Sequence, residues 1–324
     1  MLRKCFFLVL LVTLPILSSA QRIDNTAAQR VSQDTGYFRF HYDNDFFSRN
    51  RTDYYYTQGY SFEVAHSVFA KNPLSKILLR FRGKPTAYGL ALEHFGFTPT
   101  SIKSDEILVG DRPFAGVIML KSFSISVDTA RRQRLSSTLS LGMVGPAAFA
   151  GKMQTAIHRW SGDPLPQGWQ HQIRNEVVVN YELNHERQLA AVPDFLSLNS
   201  NAQIRLGTLS NKMQTGLTLT LGYFDSAFSS YPNSRKKDLQ LYVYSQPLGS
   251  LVGYDATLQG GLFNRSSPYT LGVSEISRFT FQHNYGVVMK VRKLYAEYYR
   301  TYLSQEFKNG RTHVWGGVKL GVCF

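Results

Sequence analysis

The chain has 324 residues, 43% of them hydrophobic, with 36 Lys and Arg against 22 Asp and Glu for a net charge of +14. After residue 20 no stretch is apolar and long enough to cross a bilayer as a helix, which excludes a polytopic helical membrane protein. Only two cysteines, Cys5 and Cys323, are present, which excludes a disulfide-stapled scaffold.

Residues 1–20 read as a targeting segment. Arg3 and Lys4 give a positive start, Cys5 to Leu17 is an apolar run broken by Pro15, and Ser18-Ser19-Ala20 supplies a small-residue cleavage site. The exported chain is expected to begin near Gln21, with 21–35 a periplasmic segment and 36–324 a single β-domain. Cleavage removes Cys5, so no internal disulfide forms even in an oxidising compartment. Stability must come from a large closed core or from a membrane. Without Arg3 and Lys4 the balance is 34 basic against 22 acidic residues, or +12. Such an excess calls for an anionic partner; export argues against nucleic acid and for an anionic membrane surface.

From residue 36 onward the dominant pattern is period-two alternation in segments of about 10 residues, as in membrane β-barrels. Leu217, Leu219, Leu221 and Tyr223 share one face, with Thr218, Thr220 and Gly222 on the other. Val314, Gly316, Val318, Leu320, Val322 and Phe324 repeat this at the end of the chain. A soluble β-sandwich alternates too. The barrel is favoured by the leader, by 19 Tyr, 22 Phe and 3 Trp clustered near strand ends, and by the aromatic Phe324 closing the last strand. Strands are expected over 36–45, 54–68, 86–97, 113–129, 133–145, 173–188, 198–209, 212–225, 237–248, 251–263, 276–291, 293–305 and 312–324. A single-chain bacterial barrel needs an even number. The segment 198–209 is the weakest, because Asn199, Asn201 and Ala202 are poor strand formers. The reading is therefore an all-β, transmembrane antiparallel barrel of about 12 strands, with a short surface helix in an extracellular loop. That helix is expected over 147–161, after Gly145-Pro146. Phe149, Met153, Ala156 and Trp160 form its apolar stripe. Ala147, Gly151, Gln154 and His158 lie opposite, small residues first and polar ones after.

Four polar clusters fall at strand ends: Tyr42 to Phe47, Thr52 to Gly59, Asp111 to Gly116, and Gly145 through His158 to Gln172. Each has an ordinary structural explanation, since Asp and Asn favour turns and an isolated helix His is more often structural than catalytic. Together they converge. Strands one and two are hairpin neighbours, so Asn44, Asp45 and Thr57 meet near one rim, and strand direction brings the helix to the same rim. Oxygen ligands at Asn44 and Asp45 suit a hard cation such as Ca²⁺. An imidazole at His158 suits a general base.

These elements resemble the outer-membrane lipid A 3′-O-deacylase family. The matching residues are Asn44-Asp45, Thr52-Asp53 through Tyr56-Thr57 and Gly59, and Phe97-Thr98-Pro99. Further on they are Asp111-Arg112-Pro113-Phe114-Ala115-Gly116, Gly145-Pro146 with Gly151, Gln154 and His158, and Gly168-Trp169 with Gln172, Asn175 and Glu176. The resemblance covers most of the mature chain. It implies a twelve-stranded barrel whose site lies between the outer wall and a surface helix. It also implies a Ca²⁺-dependent reaction in which His158 activates water to cleave the acyloxyacyl chain at the 3′ position of lipid A. On this analogy Gln154 helps build the site, Asn44 and Asp45 match the family's Asn-Asp pair, and Thr57 stands at its site hydroxyl. Departures are Lys152 where the family often has an acidic residue, Thr155 where it has Asn, and Leu258-Gln259-Gly260-Gly261 in place of Leu-Asp-Gly-Asn. A family site lysine has no match.

Two other readings stay open. One is a non-catalytic barrel, porin-like or adhesive, which predicts no convergence of polar loop residues. The other is an outer-membrane phospholipase, which needs a serine nucleophile; Ser161 is the nearest in sequence to His158. The expected partners are lipopolysaccharide and the outer membrane, with the protein a monomer.

Overall fold

The computed structural model describes residues 36–48, 54–228 and 237–324. The expected leader, the expected periplasmic segment and Thr52-Asp53 lie outside the described residues. Twelve antiparallel strands are found among them: β1 (Gly36–Asn44), β2 (Tyr55–His66), β3 (Thr86–Thr98), β4 (Ala115–Asp128), β5 (Gln133–Val144), β6 (Glu176–Val192), β7 (Leu196–Gly207), β8 (Ser210–Tyr223), β9 (Leu239–Asp255), β10 (Phe279–Val291), β11 (Leu294–Leu303) and β12 (His313–Cys323). Each pairs with its sequence neighbours, and β1 pairs with β12 to close the barrel. A closed barrel leaves no edge strand, so every ladder is satisfied without water, as a bilayer requires. Among the described residues no helix is long and apolar enough to cross a membrane.

The strand count of twelve holds, but the doubted strand is real. The segment 198–209 is β7, and its asparagines face the barrel interior, where Asn199 Nδ2 donates to Glu186 Oε1 at 2.6 Å and Asn201 Nδ2 to Thr218 Oγ1 at 2.8 Å. A polar interior reverses the usual penalty on Asn in strands. The error lay in dividing 237–248 from 251–263, which form the single strand β9 followed by a one-turn helix, α2 (Ala256–Gln259). Pro247 and Gly249 imitate a break. Pro247 has no N–H to donate, and the β8–β9 ladder skips from Gly216↔Leu248 to Leu219↔Ser245, while the ladder to β10 runs on through His283↔Pro247.

Alternation sorts the two faces. Inside, Lys121 pairs with Glu93 at 2.6 Å, Lys319 with Glu297 at 3.4 Å, and Arg134 and Arg205 with Glu186 and Glu182. The Lys121–Glu93 and Lys319–Glu297 pairs lie between two apolar layers. One contains Tyr56, Phe95, Phe97, Tyr299 and Trp315; the other contains Tyr37, Ala65, Ala91, Phe123, Ile125 and Cys323. Outside, a row in register runs from Leu320 through Phe40, Phe62, Leu92, Leu120 and Leu141 to Val179. Apolar residues turned outward in this way need lipid, not water. The two longest connections, 145–175 and 256–278, open at the same rim. Barrels carry their long loops outside the cell, so this is the outer rim.

Candidate active site

The site is assembled on the outside of the wall, at the outer rim. Its floor is a row of four residues in register, Asn44 on β1, Gln58 on β2, Gly96 on β3 and Gly116 on β4. Between Tyr56 and Gln58 the β2–β3 register shifts. Tyr56 points inward and donates to Asp43 Oδ1 at 2.5 Å; a Cβ on Gly59 would lie 2.4 Å from the same oxygen, so position 59 also faces inward. Three intervals separate inward residues that alternation would place on opposite faces. The bulge absorbs the extra residue and lets Thr57 reach the outer face.

Above this floor lies α1 (Ala150–Ser161). Its entrance is tightly turned, with Gly145 at φ 110° and Phe149 at φ 47° on either side of a 3₁₀ turn over Pro146–Ala148. The helix settles onto the wall because two wall positions lack side chains. A Cβ on Gly116 would lie 2.6 Å from Ala150 Cβ, and one on Gly96 would lie 3.5 Å from it. Contact with the wall is thus made by Ala150, not by Ala147 and Gly151 as the sequence suggested. Ala147 is exposed, and Gly151 instead makes room for the Trp169 ring, 2.7 Å from a Cβ placed there. Of the expected apolar stripe, Phe149 stacks on His94 of the wall, while Trp160 is 89% exposed.

Gln154 ties the layers together. It is buried; its Nε2 donates to Thr57 Oγ1 at 3.1 Å, and its Oε1 accepts from Trp169 Nε1 at 2.7 Å. The indole therefore fixes which end of the amide faces Thr57. His158 stands one turn further on, about 6 Å along the axis. Its Nδ1 lies 2.7 Å from the Pro164 carbonyl, which can only accept, so the neutral imidazole carries its proton on Nδ1. Asn44 Oδ1 accepts from Phe46 N at 2.7 Å, and Asp45, in the 3₁₀ turn Asp45–Ser48, is buried. Of the five candidates, Thr57 and Gln154 are in direct contact. Asn44 lies one register step from them, Asp45 follows it, and His158 extends the same helix.

Trp169, Gly96, Gly116 and Gln58 were not singled out for these roles. The Gly168-Trp169 pair was visible in the sequence, but which atom the indole would meet was not. Gln58 is buried, and its Nε2 has no hydrogen-bond partner. Another neighbour is His94 on β3, stacked between Tyr60 at 4.9 Å and Phe149 at 5.5 Å, with Nε2 2.8 Å from the Ala148 carbonyl. The Asp111-Arg112-Pro113 cluster serves structure instead. Asp111 holds Thr100, while Arg112 turns inward to Glu306 and to Thr257 Oγ1 at 2.8 Å, its guanidinium 3.7 Å above the Phe97 ring. Burial pushes the Glu306 carboxyl up to about 7, against the opposing pull of Arg112. His171 contacts the Asp105 carbonyl, and Glu176 caps the amides of Phe263 and Asn264.

A cation at this place would meet oxygen donors, the Asp45 carboxylate and the Asn44 amide. Among the described residues no three His, Cys, Asp or Glu converge. An oxygen-only set fits Ca²⁺ rather than zinc, with backbone carbonyls, water and a ligand completing the shell.

The closed barrel with its outward apolar row defines an integral outer-membrane protein that carries a buried polar contact between α1 and the outside of its wall. The family model described as "Outer membrane protein LpxR" matches residues 6–324. The solved structure of LpxR from Salmonella typhimurium superposes with a TM-score of 0.73 at 16% identity, covering 89% of this chain and 100% of that one. The β-domain of the Bordetella autotransporter BrkA gives 0.47 at 9% identity, covering 90% and 100%. The Pseudomonas putida toluene transporter TodX gives 0.38 at 9%, covering 93% of each. No curated protein matches in sequence. The chain belongs to the LpxR family of outer-membrane, lipid A-modifying proteins, and the family resemblance read from the sequence is borne out.

Proposed function

We propose that this protein is a Ca²⁺-dependent hydrolase that removes the 3′-linked acyloxyacyl chain from lipid A in the outer leaflet. The observation that carries this reading is the His158 imidazole, held as the Nδ1–H tautomer by the Pro164 carbonyl on the same helix face as Gln154, itself anchored to Thr57. In this reading Nε2 takes a proton from water as the oxygen attacks the ester carbonyl. The C–O bond to the sugar then breaks, the 3′-oxygen recovers a proton from the imidazolium, and the acyl chain leaves as a carboxylic acid. Thr57 and Gln154 fix the distance between helix and wall, so the ester is held against a rigid floor. Asn44 and Asp45 would hold the cation, which supplies charge stabilisation to the developing oxyanion.

The porin reading is disfavoured by the interior, which carries buried ion pairs between two apolar layers. The phospholipase reading is disfavoured because Ser161 Oγ lies 3.1 Å from the Ile157 carbonyl and 2.6 Å from Asp163 Oδ2, a helix-end arrangement. The test is mass spectrometry of lipid A from cells expressing the chain beside a His158→Ala control. Loss of a 3′-acyloxyacyl mass only with the intact histidine is the expected result; identical lipid A profiles would overturn the reading.

A further inference from the structure

Helix α1 has three sides, and only one of them is used by the wall. Ala150 and Gln154 are buried against it. Lys152 and Arg159 are seven residues apart, so they project within about 20° of one another and about 10 Å apart along the axis. Both are exposed, and neither forms an ion pair among the described residues. The nearest carboxylate in sequence, Asp163, accepts from Ser161 Oγ. Roughly 100° around from the cations lie Phe149, Met153 and Trp160, with Phe149 42% and Trp160 89% exposed.

The wall fixes which way these sides face. Phe149 stacks on His94, which is two residues below Gly96 toward the membrane, and the next outward residue down is Leu92. Leu92 pairs with Leu120, and both are turned to lipid. The apolar side of α1 therefore continues the lipid-facing surface upward, and the cations, about 180° around from Ala150 and Gln154, project away from the wall beside it. That is the arrangement of a helix lying in a membrane interface.

We propose that Lys152 and Arg159 form a phosphate-binding edge that seats the headgroup of a phosphorylated glycolipid, while Phe149, Met153 and Trp160 lie among its acyl chains. The spacing of the two cations is that of a disaccharide carrying a phosphate toward each end. The choice of lipid A as occupant rests on the proposed function; the preference for lipid phosphates rests on α1 alone.

The experiment uses the full barrel in phosphatidylcholine nanodiscs carrying His158→Ala, so that bound lipid is not consumed. Binding is measured for diphosphoryl lipid A, for lipid A stripped of phosphate, and for phosphatidic acid. Lys152→Glu/Arg159→Glu is compared with Lys308→Glu, an exposed cation of the loop between β11 and β12. The double reversal is expected to weaken diphosphoryl lipid A at least about tenfold, with Lys308→Glu unchanged and the stripped lipid indifferent to either. Unchanged affinity in the double variant overturns the proposal, as does an equal loss for stripped lipid A, which would indicate a displaced helix. If the parent binds phosphatidic acid through Lys152 and Arg159 yet ignores lipid A, the phosphate edge stands and the lipid A reading fails.

Discussion

Adding one methyl group at Gly116 tests the architecture of the site. Its Cβ would lie 2.6 Å from Ala150 Cβ, whereas ordinary van der Waals contact begins near 3.4 Å. Both atoms are fixed to backbone, one on a strand locked into two ladders, so neither can rotate away. The helix must lift by about 0.8–1 Å, carrying Gln154 off Thr57 and His158 with it. A misplacement of about 1 Å costs on the order of 100-fold in a positioned reaction. Gly116→Ala should therefore lose most of its activity on lipid A in mixed micelles while keeping the heat-modifiable mobility of a folded barrel. The lost space can be restored from the other side. Ala150→Gly alone removes the opposing methyl at a helix cost of about 1 kcal/mol, and in combination with Gly116→Ala it should recover a substantial part of the rate. Gly249→Ala is the control, since the nearest atom to its added Cβ is Thr215 O at 4.0 Å. A fully active Gly116→Ala, or a double variant no better than the single, would refute the close docking of α1.

Other perturbations probe the parts separately. His158→Ala should insert and fold normally yet lose at least ~100-fold in rate, measured as acyl chain released per barrel. Trp169→Phe keeps the ring but removes the donor that orients Gln154; a loss of about 10-fold is expected, worth roughly 1–2 kcal/mol for one buried hydrogen bond, and a rate equal to wild type would show that Gln154 holds its own orientation. Chelation with EGTA should abolish activity and added Ca²⁺ restore it, whereas full activity in excess chelator rejects the cation at Asn44 and Asp45. The Glu306 carboxyl, raised from 4.5 to about 7, binds its proton more tightly folded than unfolded, so its contribution is fully present below pH 4.5 and declines as pH rises through 7. Glu306→Gln should flatten the fall in thermal stability across that window, and an unchanged pH profile would contradict it.

Much of the barrel was legible in the sequence because a membrane enforces strict alternation: each outward residue meets lipid and each inward one a polar lumen. The same lumen made β7 hard to see, since Asn199 and Asn201 are poor strand formers until Glu186 and Thr218 are supplied as partners. β9 was divided because Pro247 and Gly249 read locally as a turn, although the partner strands carry the chain straight through. In the site, residue types and helix periodicity pointed to Gln154, His158 and Thr57. Which small residue would touch the wall was not readable, because it depends on Gly96 and Gly116, distant in sequence and brought side by side only by strand register. The bulge that turns Thr57 outward is invisible for the same reason.

Helix α1 docks on the outside of the wall, not in the lumen, and under the proposed function that position sets the dimensionality of the reaction. On the proposed function, a lipid would reach Gln154 and His158 by sliding sideways within its own leaflet, and catalysis would be fed by two-dimensional encounter. The governing concentration is the surface fraction of substrate around β1 to β4, and the turnover seen in a cell should follow how freely neighbouring lipids exchange places. Tight lateral packing of the leaflet, such as divalent cations impose by bridging adjacent headgroups, would then slow the proposed reaction without any change to the protein.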